Sequence, residues 1–285
     1  MKTRTLRFLI AFAFLLAATP LAALQVDLAW VETNLALKTN GTAVVTYKIH
    51  YKILSGEMHA FYFQGAGGES PVFDERSCKA IDGREKEYPL SLKKVSPDTW
   101  DVLLADNAAV TGEATFILVY ESNLAQAGYL VHTKSQAGEQ LVGLNWSTVG
   151  WDESLEHATL YVHYPIIVEQ ARLAPQDMEK YHFRTEKWMN ERYLLSYYGQ
   201  SFEGENFLTV QIHWSDVPAR QGLKVQQYIG AEYFPSPAPP AGEKKPKLRE
   251  ERPGARSPLP IVSPKPLPLT RTRLPLIGGA FRTSV

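Results

Sequence analysis

Apolar and polar residues alternate with period two through most of the chain between residues 25 and 230, and that period belongs to strands. Within 42–54 one set is Ala43, Val45, Tyr47, Ile49, Tyr51 and Ile53, and the other is Val44, Thr46, Lys48, His50 and Lys52. The same alternation places Ala114, Phe116, Leu118 and Tyr120 on one face of 113–121. It places Ala158, Leu160, Val162 and Tyr164 on one face of 155–164, and Leu208, Val210, Ile212 and Trp214 on one face of 207–214. Each reads as a strand with one face on a core and one toward water. Weaker patterns predict strands over 26–38, 57–63, 72–81, 88–92, 99–104, 129–133, 141–146, 181–185, 193–197 and 223–228.

The connections carry turn chemistry. Asn40-Gly41 between two alternating runs is a hairpin signal, and Asp82-Gly83, 65–68, 96–98 and 203–206 mark further loops. Only 175–180 suggests a helical turn. Many short strands with regular turns predict an all-β fold, an antiparallel β-sandwich. Pro165 predicts a break between a sandwich over 24–164 and a smaller β unit over 165–234, packed on the sandwich or continuing it.

The ends differ from this body. Lys2, Arg4 and Arg7 precede an apolar run over 8–18, then Pro20 and a small-residue site at 21–23. That order predicts a cleaved export signal over 1–23, the run being too short to span a bilayer comfortably. The mature chain is therefore expected outside the cytoplasm, periplasmic or extracellular. Twelve of the 19 prolines fall in 235–285. Proline lacks the amide donor and fixes φ, so this stretch is expected to be a disordered, Pro-rich basic tail.

The formal charge of zero hides an asymmetry. Residues 24–234 carry 17 Lys+Arg against 27 Asp+Glu, and residues 235–285 carry 10 against 3. An acidic body is a poor partner for nucleic acid. The basic tail could lie on an anionic membrane surface, although a solvated tail needs no such partner. A single cysteine, Cys78, rules out an intramolecular disulfide and reads as a small buried hydrophobe.

Residues 144–165 read LNWSTVGWDESLEHATLYVHYP: an Asn-Trp pair, a Gly-Trp-Asp turn and an amphipathic strand ending in Tyr-Pro. This stretch resembles a bacterial family of predicted membrane proteins of unknown function. The strand opened by Asn40-Gly41, the glycine-led strand over 112–120 and the segment 222–225 resemble the same family's elements. The resemblance covers roughly 26–230 and implies an N-terminal extracytoplasmic β-sandwich, with no catalytic residues to carry over. It also implies a transmembrane helix next. Nothing after Tyr233 reads as one, since the apolar patch over 274–281 is short and holds Pro275. Two expectations follow: a secreted variant, or a tail from a truncated or frameshifted reading frame.

Trp146 and Trp151 flank the turn and, if exposed, could stack on a sugar ring with Asp152 beside them; buried, they would plug the end of the core. Asp152-Glu153 and Asp74-Glu75 are adjacent pairs whose side chains point to opposite faces, which is poor geometry for glycoside hydrolysis. His157 and His163 share a strand face but lie about 20 Å apart at strand rise. His50 and His213 also lie on polar faces, where a cross-strand pair could hold zinc. No nucleophile elbow, HExxH or phosphate loop is present. Asn40 and Asn145 sit in glycosylation sequons that the turn and the bacterial resemblance explain better.

The expectation is therefore a non-enzymatic binding or interaction module of the cell envelope, with Trp146, Trp151 and Asp152 as its binding residues. Its ligand would be an envelope protein or a glycan, with no cofactor, no metal and no transmembrane span in the mature chain. The alternatives are a carbohydrate-active or other hydrolytic enzyme with a loop-assembled site, and a structural component of an envelope complex held by edge strands.

Overall fold

A computed structural model describes residues 23–235, so the expectations for the signal and the tail lie outside the described residues. The chain opens with a hairpin of β1 (Gln25–Leu37) and β2 (Thr42–Met58). Lys38 N–H donates to the Thr42 carbonyl at 2.8 Å and Gly41 N–H to the Lys38 carbonyl at 3.0 Å. Gly41 closes this turn at φ +81°, a left-handed conformation that glycine adopts without a Cβ penalty.

Short strands follow: β3 (Ala60–Gln64), β4 (Val72–Phe73), β5 (Lys79–Asp82), β6 (Glu87–Ser96) and β7 (Thr99–Leu104). Then come β8 (Val110–Asn123), β9 (Leu130–Lys134), β10 (Gln140–Ser147) and β11 (Leu155–Ile167). The chain closes with β12 (Arg184–Thr185), a short helix α1 (Lys187–Arg192), β13 (Leu194–Phe202), β14 (Glu205–Val217) and β15 (Lys224–Gly230). A 3₁₀ segment over Pro175–Tyr181 occupies the predicted helical turn.

The strands form two sheets. The larger has 11 strands in the order β13-β14-β11-β1-β2-β8-β5-β6-β7-β3, with β4 also on β8. The smaller has four, β12-β15-β10-β9. Pairing is antiparallel except between β1 and β11, which run parallel with Trp30 opposite His157.

The two periodic faces sort as the alternation predicts. Ala43, Val45, Tyr47 and Ile49 of β2, Phe116 and Leu118 of β8, and Leu160 and Val162 of β11 are buried. Val142, Leu144 and Trp146 of β10 and Val225 and Ile229 of β15 join the same core.

Two boundaries differ from expectation. The stretch 72–81 is two strands, because Asp74 folds the chain into a turn: its carboxylate accepts from Ser77 Oγ at 2.6 Å and its carbonyl from Ser77 N–H at 3.0 Å. Nor does Pro165 break the chain. β11 runs through it to Ile167, and the pairing with β14 shifts register between His163 and Ile167, where a residue without an N–H is tolerated. Beyond it, β13 and β14 extend the large sheet and β12 and β15 the small one. One core takes side chains from Leu28 to Phe234.

Candidate functional site

The segment between β10 and β11 is stitched to the segment before β15. Thr148 N–H donates to the Leu223 carbonyl, Leu223 N–H returns to Thr148 Oγ1, both at 2.9 Å, and Arg220 N–H donates to the Trp151 carbonyl at 2.5 Å. A Cβ on Gly222 would stand 2.5 Å from the Thr148 carbonyl oxygen, so only glycine allows this approach. Val149 N–H donates to the Tyr47 hydroxyl at 3.1 Å, anchoring the segment to the core.

This stitching holds Trp151 half-buried, 6.2 Å from the ring of Phe63 and tilted by 55°. Trp151 forms one wall of a groove of about 840 Å³. Tyr51, Phe61 and Tyr62 add three more aromatic rings, and Leu28 adds a branched aliphatic side chain. Asp98, Asp152 and Glu153 reach the groove, with Arg220 as its cation. Each carboxylate has a partner. Asp98 Oδ1 accepts from Gly67 N–H at 2.5 Å, Glu153 Oε2 from Leu28 N–H at 3.2 Å, and Asp152 pairs with Arg220 at 3.4 Å, both largely exposed.

Trp146 lies elsewhere. It is 2 % exposed, and its indole N–H donates to Glu69 Oε1 at 2.8 Å. Tyr120 donates to Glu69 Oε2 at 2.9 Å, and Ser122 Oγ to the Glu69 carbonyl at 2.6 Å. Burial pushes the Glu69 carboxyl up to about 7, against the downward pull of the Tyr120 and Trp146 hydrogen bonds. Of the three residues the sequence proposes, Trp151 and Asp152 face the groove and Trp146 ties a buried acid to the core.

The outer face of the large sheet carries His50, His157 and His213. Trp30 stacks on His50 at 4.8 Å and on His157 at 6.1 Å, and His157 lies 5.5 Å from His213. The row follows from register, since Trp30 is opposite both His50 and His157. Rings of neighbouring strands thus stand side by side. Burial holds His50 and His213 below the ordinary imidazole range, with His157 adding to the effect on His213. Among the described residues, no three His, Cys, Asp or Glu side chains come together as a metal site. Cys78 is buried, its sulfur accepting from Val119 N–H at 3.3 Å, and burial raises its thiol away from the reactive thiolate.

Residues 28–229 match the family model described as "Predicted membrane protein (DUF2207) N-terminal domain". The chain belongs to this family. Among the described residues of this DUF2207 domain, no helix is long and apolar enough to cross a membrane. A search of curated proteins finds no match.

Two solved structures are similar at low level. One is a protein from Parabacteroides distasonis ATCC 8503, provisionally described as a protease: 7 % identical, TM-score 0.35, covering 72 % of this chain and 39 % of that one. The other is native yeast LTA4 hydrolase: 7 % identical, TM-score 0.37, covering 70 % of this chain and 31 % of that one. The DUF2207 domain thus spans well under half the length of either.

Sequence reasoning about the DUF2207 domain misses Phe61, Tyr62 and Arg220 as groove residues and Glu69 as a buried acid. Phe61 and Tyr62 of β3 meet Arg220 of the segment before β15 through tertiary contacts that no local pattern encodes. Glu69 follows a glycine-rich loop, which reads as flexible until Tyr120 and Trp146 are known to close on it.

Proposed function

We propose that this domain is an exported, non-enzymatic binding module of the cell envelope, with its ligand in the groove between β3 and the segment 148–154. The observation that carries this reading is the groove's composition. Four aromatic rings line it, with Tyr62 exposed, Phe61 and Trp151 half-buried and Tyr51 behind them, and such rings give apolar contact at low entropic cost. Asp98 and Glu153 each accept a backbone N–H and the exposed Asp152 pairs with Arg220, an arrangement that supports binding over a convergent acid and base.

The test is fluorescence titration of the purified domain with soluble glycan fragments and with short peptides, alongside Trp151→Ala. Saturable binding that weakens at least tenfold in Trp151→Ala, with no release of reducing ends or new amino termini, is expected. Turnover of either ligand class by the wild-type domain would reinstate the hydrolase alternative and sink this one.

A further inference from the structure

β3 ends the large sheet, pairing with β7 on one side only. Two bonds bracket it. His59 accepts at its carbonyl from Leu104 N–H at 2.9 Å, and Gly65 N–H donates to the Asp98 carbonyl at 3.1 Å. Both fall in the register that sets Ala60 opposite Leu103 and Gln64 opposite Thr99. Bonded residues alternate along an antiparallel strand. Phe61 and Phe63 therefore direct their backbone groups to β7, and Ala60, Tyr62 and Gln64 turn three N–H and three C=O groups to the open side.

Other edges are blunted. The outer side of β13 is covered by 171–173, with Leu173 N–H bonded to the Tyr197 carbonyl and Gly199 N–H to the Ala171 carbonyl. β9 gives its first donor, Leu130 N–H, to the Leu124 carbonyl and ends in Lys134. β12 has two residues. β3 carries no proline, no charge and, among the described residues, no strand or backbone hydrogen bond on its open side, and natural sheets rarely leave an edge so. It also lines the groove through Phe61, Tyr62 and Gln64, and Tyr62 is 66 % exposed.

The geometry points to strand addition: an extended peptide segment of another polypeptide, bearing lysine or arginine, pairs along the open edge of β3 and lies in the groove. Main-chain bonds to Ala60, Tyr62 and Gln64 would fix its register, and alternate side chains would meet Tyr51, Phe61 and Trp151. The charge of the occupant follows from the walls, which set Asp98, Asp152 and Glu153 against Arg220 alone. A cationic strand satisfies that excess, and an anionic one is repelled. This inference rests on the groove being the binding site.

The experiment titrates the domain with an eight-residue synthetic peptide alternating threonine or valine with lysine, blocked at both ends. Two analogues accompany it, one N-methylated at alternate residues and one with glutamate for lysine. Trp151 fluorescence reports groove occupancy, and amide hydrogen exchange reports Ala60, Tyr62 and Gln64. Saturable binding of the lysine peptide is expected, with exchange slowed at those three amides. N-methylation should weaken binding at least tenfold, and so should the glutamate analogue.

Tyr62→Pro removes the central outward donor while its neighbours' bonds to β7 remain, and should abolish peptide binding with little change in thermal midpoint. Equal affinity for the N-methylated and parent peptides would overturn strand addition. Binding of a soluble glycan such as chitohexaose with no response to any peptide would overturn it too, while leaving the binding-module reading intact. No response to either class would remove both.

Discussion

Buried polar groups divide into those with partners and those without, and the difference sets what a substitution does. Tyr164 donates to Gln227 Oε1 at 2.7 Å in the buried interior, so Tyr164→Phe strands an amide oxygen. That loss should cost about 1–2 kcal/mol. Tyr197 is buried near it, but its hydroxyl finds no partner among the described residues. Tyr197→Phe removes a group already desolvated and unpaired and should change stability by less than about 0.5 kcal/mol, in either direction. Urea unfolding of the two variants distinguishes them, and equal losses would contradict the assignment. Trp146 falls in the partnered class, which is why a tryptophan that reads as a ligand platform in the sequence belongs to the interior. Its local pattern, Asn-Trp-Ser before a Gly-Trp turn, does not encode the carboxylate of Glu69 that closes on it from 77 residues away.

At the scale of elements, the long strands were legible and the short ones less so. β2, β8, β11 and β14 have enough alternating residues for one face to declare itself, and burial follows the pattern apart from Thr159 and Thr209, which are buried on the polar face, and Trp214, which is half-buried on the apolar one. The stretch 72–81 misled because a turn made by one carboxylate, Asp74, leaves little trace in hydrophobic period. α1 is six residues, shorter than two helical turns, and no stripe can form in that length. The groove escaped notice for a topological reason. Its walls come from β3, the β6–β7 turn and the segment 148–154, and only the completed sheet order brings these together. That arrangement makes Gly222 testable. Gly222→Ala drives a Cβ into the Thr148 carbonyl and should cost about 1–3 kcal/mol, together with weakened groove binding. Gly204→Ala offers the contrast, because nothing lies within 4 Å of its added Cβ and only its φ of +88° opposes the change. A loss of about 1–2 kcal/mol from that backbone strain alone, with binding unaltered, is expected there.

For the whole molecule, Phe234 is the last of the described residues that is buried in the core. Ending the chain after Pro235 should leave the thermal midpoint unchanged within error, since a proline-rich basic segment has too few apolar side chains to offset its ordering entropy. Ending it after Gly230 removes Phe234 and should lower the midpoint by several degrees. A drop of that size on removing 236–285 alone would show that the tail packs on the sandwich.

Stability against pH is set by two buried groups that pull in opposite directions. Burial lowers His163 from 6.5 to about 4. Between those values the unfolded chain holds a proton that the folded one lacks, so stability rises with pH. Burial raises Glu69 from 4.5 to about 7, so between those values the folded chain holds the extra proton and stability falls as pH rises. Each window is worth about 3 kcal/mol. Where the windows overlap, from 4.5 to 6.5, the two slopes cancel. His50 and His213, both held low by burial, then tip the balance upward as pH approaches 6.5. Above 6.5 Glu69 acts alone. The profile should therefore peak near pH 6.5 and decline toward 7 and beyond. Below 4.5, ion-paired carboxylates such as Glu121 and Glu156, whose partners hold them low, add the usual acid loss. In Glu69→Gln the decline above 6.5 should vanish and the rise below it should steepen, because His163 is no longer opposed. In His163→Gln the overlap region should instead slope downward with pH. Urea unfolding from pH 4 to 8 measures all three curves, and a Glu69→Gln profile parallel to that of the wild type would show that this carboxyl does not titrate in the window assigned to it.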